Sequence, residues 1–111
     1  MSAIDVNAVG SEAAKKIIEI LTGAGKDVVS YAQIEGKKLA QSAAEIAQLR
    51  LTGQITDAEM KLHIRIQKNA SISVLMAIKG ISKIAVEQAI NAALKIIGTA
   101  VKGATGLPFP V

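Results

Sequence analysis

The stretch SVLMAIKGISKIAV, Ser73 to Val86, decides the fold of this chain. It is too oily for an ordinary exposed helix, yet it carries Lys79 and Lys83 and has Gly80 at its middle. Read without a break, a helix that starts at Asp57 meets no strong stop before the glycines between Gly98 and Gly106. From Asp57 to Lys102 it would run roughly 69 Å at 1.5 Å per residue. That is too long for a compact domain of 111 residues. Read with a break at Gly80, the same sequence makes two helices of about six turns each. The fold class is all-α on either reading. It is an antiparallel helical hairpin that completes its core by oligomerising, or a compact four-helix bundle.

Working back from this stretch, the clearest local signal is LTGQITDAEM, Leu51 to Met60. Gly53 stops one helix. Thr56 and Glu59 then have the spacing of a capping box, in which the hydroxyl accepts the Glu59 N–H and the carboxylate accepts the Thr56 N–H. Ile55 and Met60 fall at the two positions of a hydrophobic staple. Asp57 adds negative charge at the positive end of the helix dipole. The spacing predicts a tight helix–turn–helix here.

The helix before it starts near Asp27. Val28, Val29, Ala32, Gly36, Leu39, Ala40, Ala43, Ile46 and Ala47 recur at steps of three and four. Within this set Gly36, Ala40, Ala43 and Ala47 form a row of small residues. Such a row either lets a second backbone approach closely or reflects helix propensity alone. Earlier still, SEAAKKIIEILTGAG predicts a helix from Ser11, taken as its N-cap, to a break at Gly23 and Gly25. Gly25 and Gly80 lie at nearly equal sequence distances on either side of Gln54, so a hairpin would bring both weak points to one level. Residues 1–10 read as a flexible leader, 11–102 as the helical domain and 103–111 as an extended tail. In that tail, KGATGLPFPV, Pro108 and Pro110 exclude helix. Phe109 is expected to tuck against its own domain or a neighbouring subunit.

Composition narrows the function. Half the residues are hydrophobic, but the set is nearly all Ala, Ile, Val and Leu, with Tyr31 and Phe109 the only aromatics. Base-stacking platforms for single-stranded nucleic acid are therefore missing. The lack of Cys excludes disulfides, thiolate zinc sites and a cysteine nucleophile. MSAIDVNAVG has neither the basic region nor the apolar core of a signal peptide, so cytoplasmic residence, with a peripheral membrane location as the variant, is expected.

The formal charge of +4 is unevenly spread. Residues 1–56 hold six basic and six acidic side chains, while residues 57–111 hold seven basic and three acidic. On a helical wheel Lys61, Arg65, Lys68, Lys79 and Lys83 fall within about 60° of one another, a basic edge. The rest of the circumference is apolar and wider than the stripe of just over 100° that a surface helix buries. Ile72, Leu75, Ile78, Ile81, Ile84, Leu94, Ile97 and Phe109 are the candidate oligomer or membrane interface. A conventional transmembrane helix is disfavoured. The longest uncharged run, Asn69 to Ile78, is ten residues, and a mid-bilayer charge costs about 2.5–3.5 kcal/mol. Binding of an amphipathic helix within an anionic interface survives that objection.

Chemistry-bearing residues are sparse. His63 is the sole histidine, and Glu59 one turn before it supplies at most a second metal ligand. No base or orienting partner is evident for a Ser or Thr nucleophile. GAGKD lacks the spacing of a phosphate loop. NAS at Asn69 sits mid-helix and is discounted as a sequon. Lys61, Arg65 and Lys68 offer phosphate contacts, but the helix lacks a base-reading polar set, so nucleic acid is disfavoured. No family motif is present, and the general style is that of small all-helical bacterial or phage proteins. The expectation is a non-enzymatic helical structural or interaction module, without catalytic, metal or cofactor residues, that pairs with itself or another helical protein. The alternative is a membrane-active amphipathic protein that binds anionic lipid or forms pores.

Overall fold

The computed structural model describes residues 4–21, 26–78 and 80–109. They form α1 (Val6–Ile20), α2 (Lys26–Leu51), α3 (Asp57–Leu75) and α4 (Lys83–Thr105). α2 and α4 touch each other, and each touches both of the remaining helices. α1 and α3 do not meet, so they flank the central α2–α4 pair on opposite sides. The extents of 42 × 24 × 16 Å exclude the long hairpin and establish the four-helix bundle.

The local signals explain the helix ends. α2 closes with a Schellman motif: the Gln54 N–H reaches the Leu49 carbonyl at 2.9 Å and the Gly53 N–H reaches that of Arg50 at 3.1 Å. Gly53 takes the left-handed conformation this needs, at φ 76°. Both capping-box bonds are present, from the Glu59 N–H to Thr56 Oγ1 at 3.1 Å and from the Thr56 N–H to Glu59 Oε1 at 3.0 Å. Ile55 packs on the cluster that contains Met60, which completes the staple. The decisive stretch does break. α3 ends at Leu75, Gly80 turns the chain at φ 85°, and Ser82 Oγ accepts the Ala85 N–H at 3.2 Å to start α4. α1 ends at Ile20 and α2 starts at Lys26, and the expected break at Gly23 and Gly25 lies outside the described residues.

Two boundaries differ from expectation. α1 begins at Val6, not Ser11, because Asp5 Oδ1 accepts the Ala8 N–H at 3.1 Å and caps the helix. Residues 6–10 are therefore helical, not part of a leader. Gly10 lies inside this helix, where α2 crosses α1. A Cβ on Gly10 would lie 3.0 Å from Lys37 Cα. At the other end α4 continues past Gly103 to Thr105, and left-handed Gly106 ends it.

The main core draws on all four helices, with Ile17, Leu39, Leu75, Val86, Ile90 and Ile97 among its buried members. Alanines fill much of the remainder and keep the helices close. A second, smaller cluster of Ile46, Met60 and Ile64 lies between α2 and α3, with Phe109 packed against it. The tail thus docks on its own domain.

Candidate interaction surface

The structure divides the candidate interface residues. Leu75, Ile78, Leu94 and Ile97 are buried in the chain's own core, and Ile72, Ile81 and Phe109 are half-buried against it. Only Ile84 stands out, at 69% exposure. The expectation that this whole face needs an outside partner is corrected accordingly. α4 packs on α1, α2 and α3 together, so its wide apolar circumference is covered from within.

The basic edge also divides. Lys61 and Arg65 are exposed and Lys68 is half-buried on α3, while Lys79 lies outside the described residues. Lys83 belongs to a different helix, and its Nζ lies 3.8 Å from Glu87 Oε1. A single wheel drawn through Gly80 cannot hold across a break, so the edge on α3 ends at Lys68. Other cations join it through the fold. Lys61 lines a depression of about 420 Å³ with Asp57, Ala58, Met60, Pro108 and Phe109. On the other side of the same two tail residues, Lys95, Gly98, Thr99 and Lys102 line one of about 400 Å³. The carboxylate in this region is already engaged: Arg50 Nε donates to Asp57 Oδ1 at 2.6 Å. That hydrogen bond, and then the opposite charge, hold the Asp57 carboxyl below its ordinary range and raise the Arg50 guanidinium.

Two features are not among the candidate residues that the sequence offers. Leu62 and Ile66 are 53% and 52% exposed on α3. They lie one turn apart on the side opposite Met60, Ile64 and Ser71, which face the bundle. Their signal was present in the sequence, since a helix with one stripe pinned to a core by Met60 and Ile64 must turn Leu62 and Ile66 outward. The second feature is Glu35, which is 2% exposed between α2 and α3. Ser71 Oγ donates to its Oε1 at 3.0 Å, and Lys38 Nζ lies 3.6 Å from its Oε2. No local spacing could reveal it, because its partner comes from another helix. His63 is exposed, and among the described residues no three His, Asp or Glu side chains converge on a common point.

By length and composition α4 passes as a membrane span, with mean hydropathy 1.3 over its most apolar window, although charge spacing argues against one. A helix that supplies a bundle core meets the same criterion, and 44% of that window is buried in the fold. Fold and surface together define an all-α four-helix bundle with a lysine-bearing α3–α4 side. Compared with known family models, curated proteins and solved structures, the chain matches none.

Proposed function

We propose that this chain is a non-enzymatic helical interaction module. It docks the outer face of α3 on an apolar surface that bears negative charge, as the interface of an anionic bilayer does. The observation that carries the reading is the exposed pair Leu62 and Ile66, with Lys61 and Arg65 beside it in sequence. Burying a Leu or Ile side chain contributes about 1.5–3 kcal/mol. A Lys or Arg near an anionic leaflet adds about 1 kcal/mol. Two aliphatics and these two cations therefore suffice for reversible binding.

Pairing of two copies through the same face has less support. A stable protein interface buries about 1,200–2,000 Å² in total, and two large aliphatics supply little of that. Two copies so joined also bring like charges from Lys61 and Arg65 to a common margin. An anionic surface has neither difficulty.

Flotation with anionic and neutral liposomes at two salt concentrations tests the proposal. Capture by anionic vesicles alone, weakened by salt and lost in the Leu62→Ser/Ile66→Ser variant, is the expected result. No capture removes the reading. A dilution-dependent oligomer in light scattering that the same variant abolishes would reassign the face to self-association.

A further inference from the structure

The C-terminal tail sits over a seam with the features of a ligand site. Of the helix pairs that touch, α3 and α4 are the most thinly packed. Phe109 lies across both hydrophobic clusters and remains only half-buried. Beneath its ring lies a crevice of only about 10 Å³, with Ser42 and Gln67 beside Leu39, Ile46, Ile64 and Leu94, so the space for a ligand is that of the ring and the depressions flanking it. The depressions on its two sides, about 420 and 400 Å³, each fall within the roughly 300–1,000 Å³ of small-molecule sites.

The tail is lightly held. Gly106, at φ 78°, permits a change of direction after α4. The hydrogen bond of the tail backbone seen after it runs from the Leu107 N–H to Thr105 Oγ1 at 3.2 Å, a contact within its own turn. The ring is therefore kept in place by apolar contact, which another apolar group can replace. The rim carries one sign of charge in excess. Lys61 stands on one side, Lys95 and Lys102 on the other, and Asp57 is already bonded to Arg50.

We propose that the α3–α4 seam binds a single-chain anionic amphiphile, a free long-chain carboxylate, with Phe109 as its resident plug. The acyl chain takes the place of the ring over Ile46, Met60 and Ile64. The carboxylate stays at the rim, where lysine charge favours it and a neutral head gains nothing. This site shares Lys61 with the docking face of α3 but not Leu62 or Ile66, and it does not depend on the docking function proposed there.

The experiment is displacement of a fluorescent polyene fatty acid from the full chain below its micellar concentration. The absence of Trp leaves that emission free of a tryptophan background. Hexadecanoate, hexadecanol and acetate are the competitors. The expected result is saturable one-to-one binding displaced by hexadecanoate, with hexadecanol at least tenfold weaker and acetate inert. The Lys61→Gln/Lys95→Gln/Lys102→Gln variant should weaken binding about tenfold, and Phe109→Ala should tighten it severalfold by removing the plug. Leu62→Ser/Ile66→Ser should leave it unchanged. No saturable binding in either the native chain or Phe109→Ala overturns the proposal. So does equal binding of acid and alcohol, unchanged affinity in Phe109→Ala, or loss of binding in Leu62→Ser/Ile66→Ser. Should Phe109→Ala fail to fold by circular dichroism, NMR titration of the native chain decides. Shifts confined to the Phe109 ring and Met60 methyl support the site, and their absence refutes it.

Discussion

Gly36 of α2 lies so close to Gly10 of α1 that a Cβ on Gly36 would fall 2.8 Å from the Gly10 carbonyl oxygen and 2.9 Å from the Ala14 nitrogen. Both obstacles are backbone, so neither can swing aside as a side chain would. This crossing brings α1 onto α2, and it uses the first member of the small-residue row.

Gly36→Ala is therefore expected to destabilise the bundle. Helix propensity alone would favour alanine by about 1 kcal/mol, but overpacking against backbone costs typically 1–3 kcal/mol. A net loss of about 1–2 kcal/mol is predicted, read as a lower midpoint in urea. Gly103→Ala is the control, since nothing lies within 4 Å of its Cβ position. It should be neutral or stabilising.

The buried Glu35–Ser71 bond predicts an asymmetry. Ser71→Ala strips the donor from a carboxylate oxygen that water does not reach, and a loss of about 1–3 kcal/mol is expected. Replacing both partners, as Glu35→Met/Ser71→Ala, removes the need along with the donor and should recover most of that loss. A double-mutant cycle by urea denaturation measures the difference.

Arg50 and Asp57 link stability to pH. The folded-state pKa of Asp57 is depressed, so its contribution is fully present above the unfolded value, about 3.9. It disappears as pH falls through the folded value. The stability difference between the native chain and Asp57→Asn should therefore be constant near neutrality and shrink only in acid. The pair is solvent-exposed, so the effect is small and diminishes with salt. Urea midpoints of both chains measured across the acid range test this.

Leu62→Ser/Ile66→Ser should lose capture by anionic liposomes without unfolding. Surface substitutions away from special features usually change stability by no more than about 0.5 kcal/mol. A thermal midpoint within a few degrees of the native chain, together with lost flotation, is the expected pair of results. A large drop in that midpoint would show that the side chains serve the fold.

Some of this was legible because it is local. The capping box at Thr56 and Glu59, the turn at Gly53 and the interruption at Gly80 are each set within a few residues, and each stands in the structure. The start of α1 differs from the expected Ser11 because Asp5 is an equally good capping residue, and local sequence does not rank the two. A wheel that places Lys83 on the α3 edge assumes a continuity that Gly80 removes.

The amino-acid order alone determined the all-α class, the positions of the turns and the surplus of positive charge in the second half. Those follow from hydrogen bonds, glycine conformation and periodicity over a turn or two of helix. Only the tertiary arrangement decided which apolar residues are spare. The wide apolar circumference of α4 reads on a wheel as needing an outside partner, yet Leu94 and Ile97 are covered because α4 meets three neighbours, whereas Leu62 and Ile66 on the outer side of α3 stay exposed. Burial belongs to the assembled surfaces, and a single helix does not specify what will lie against it.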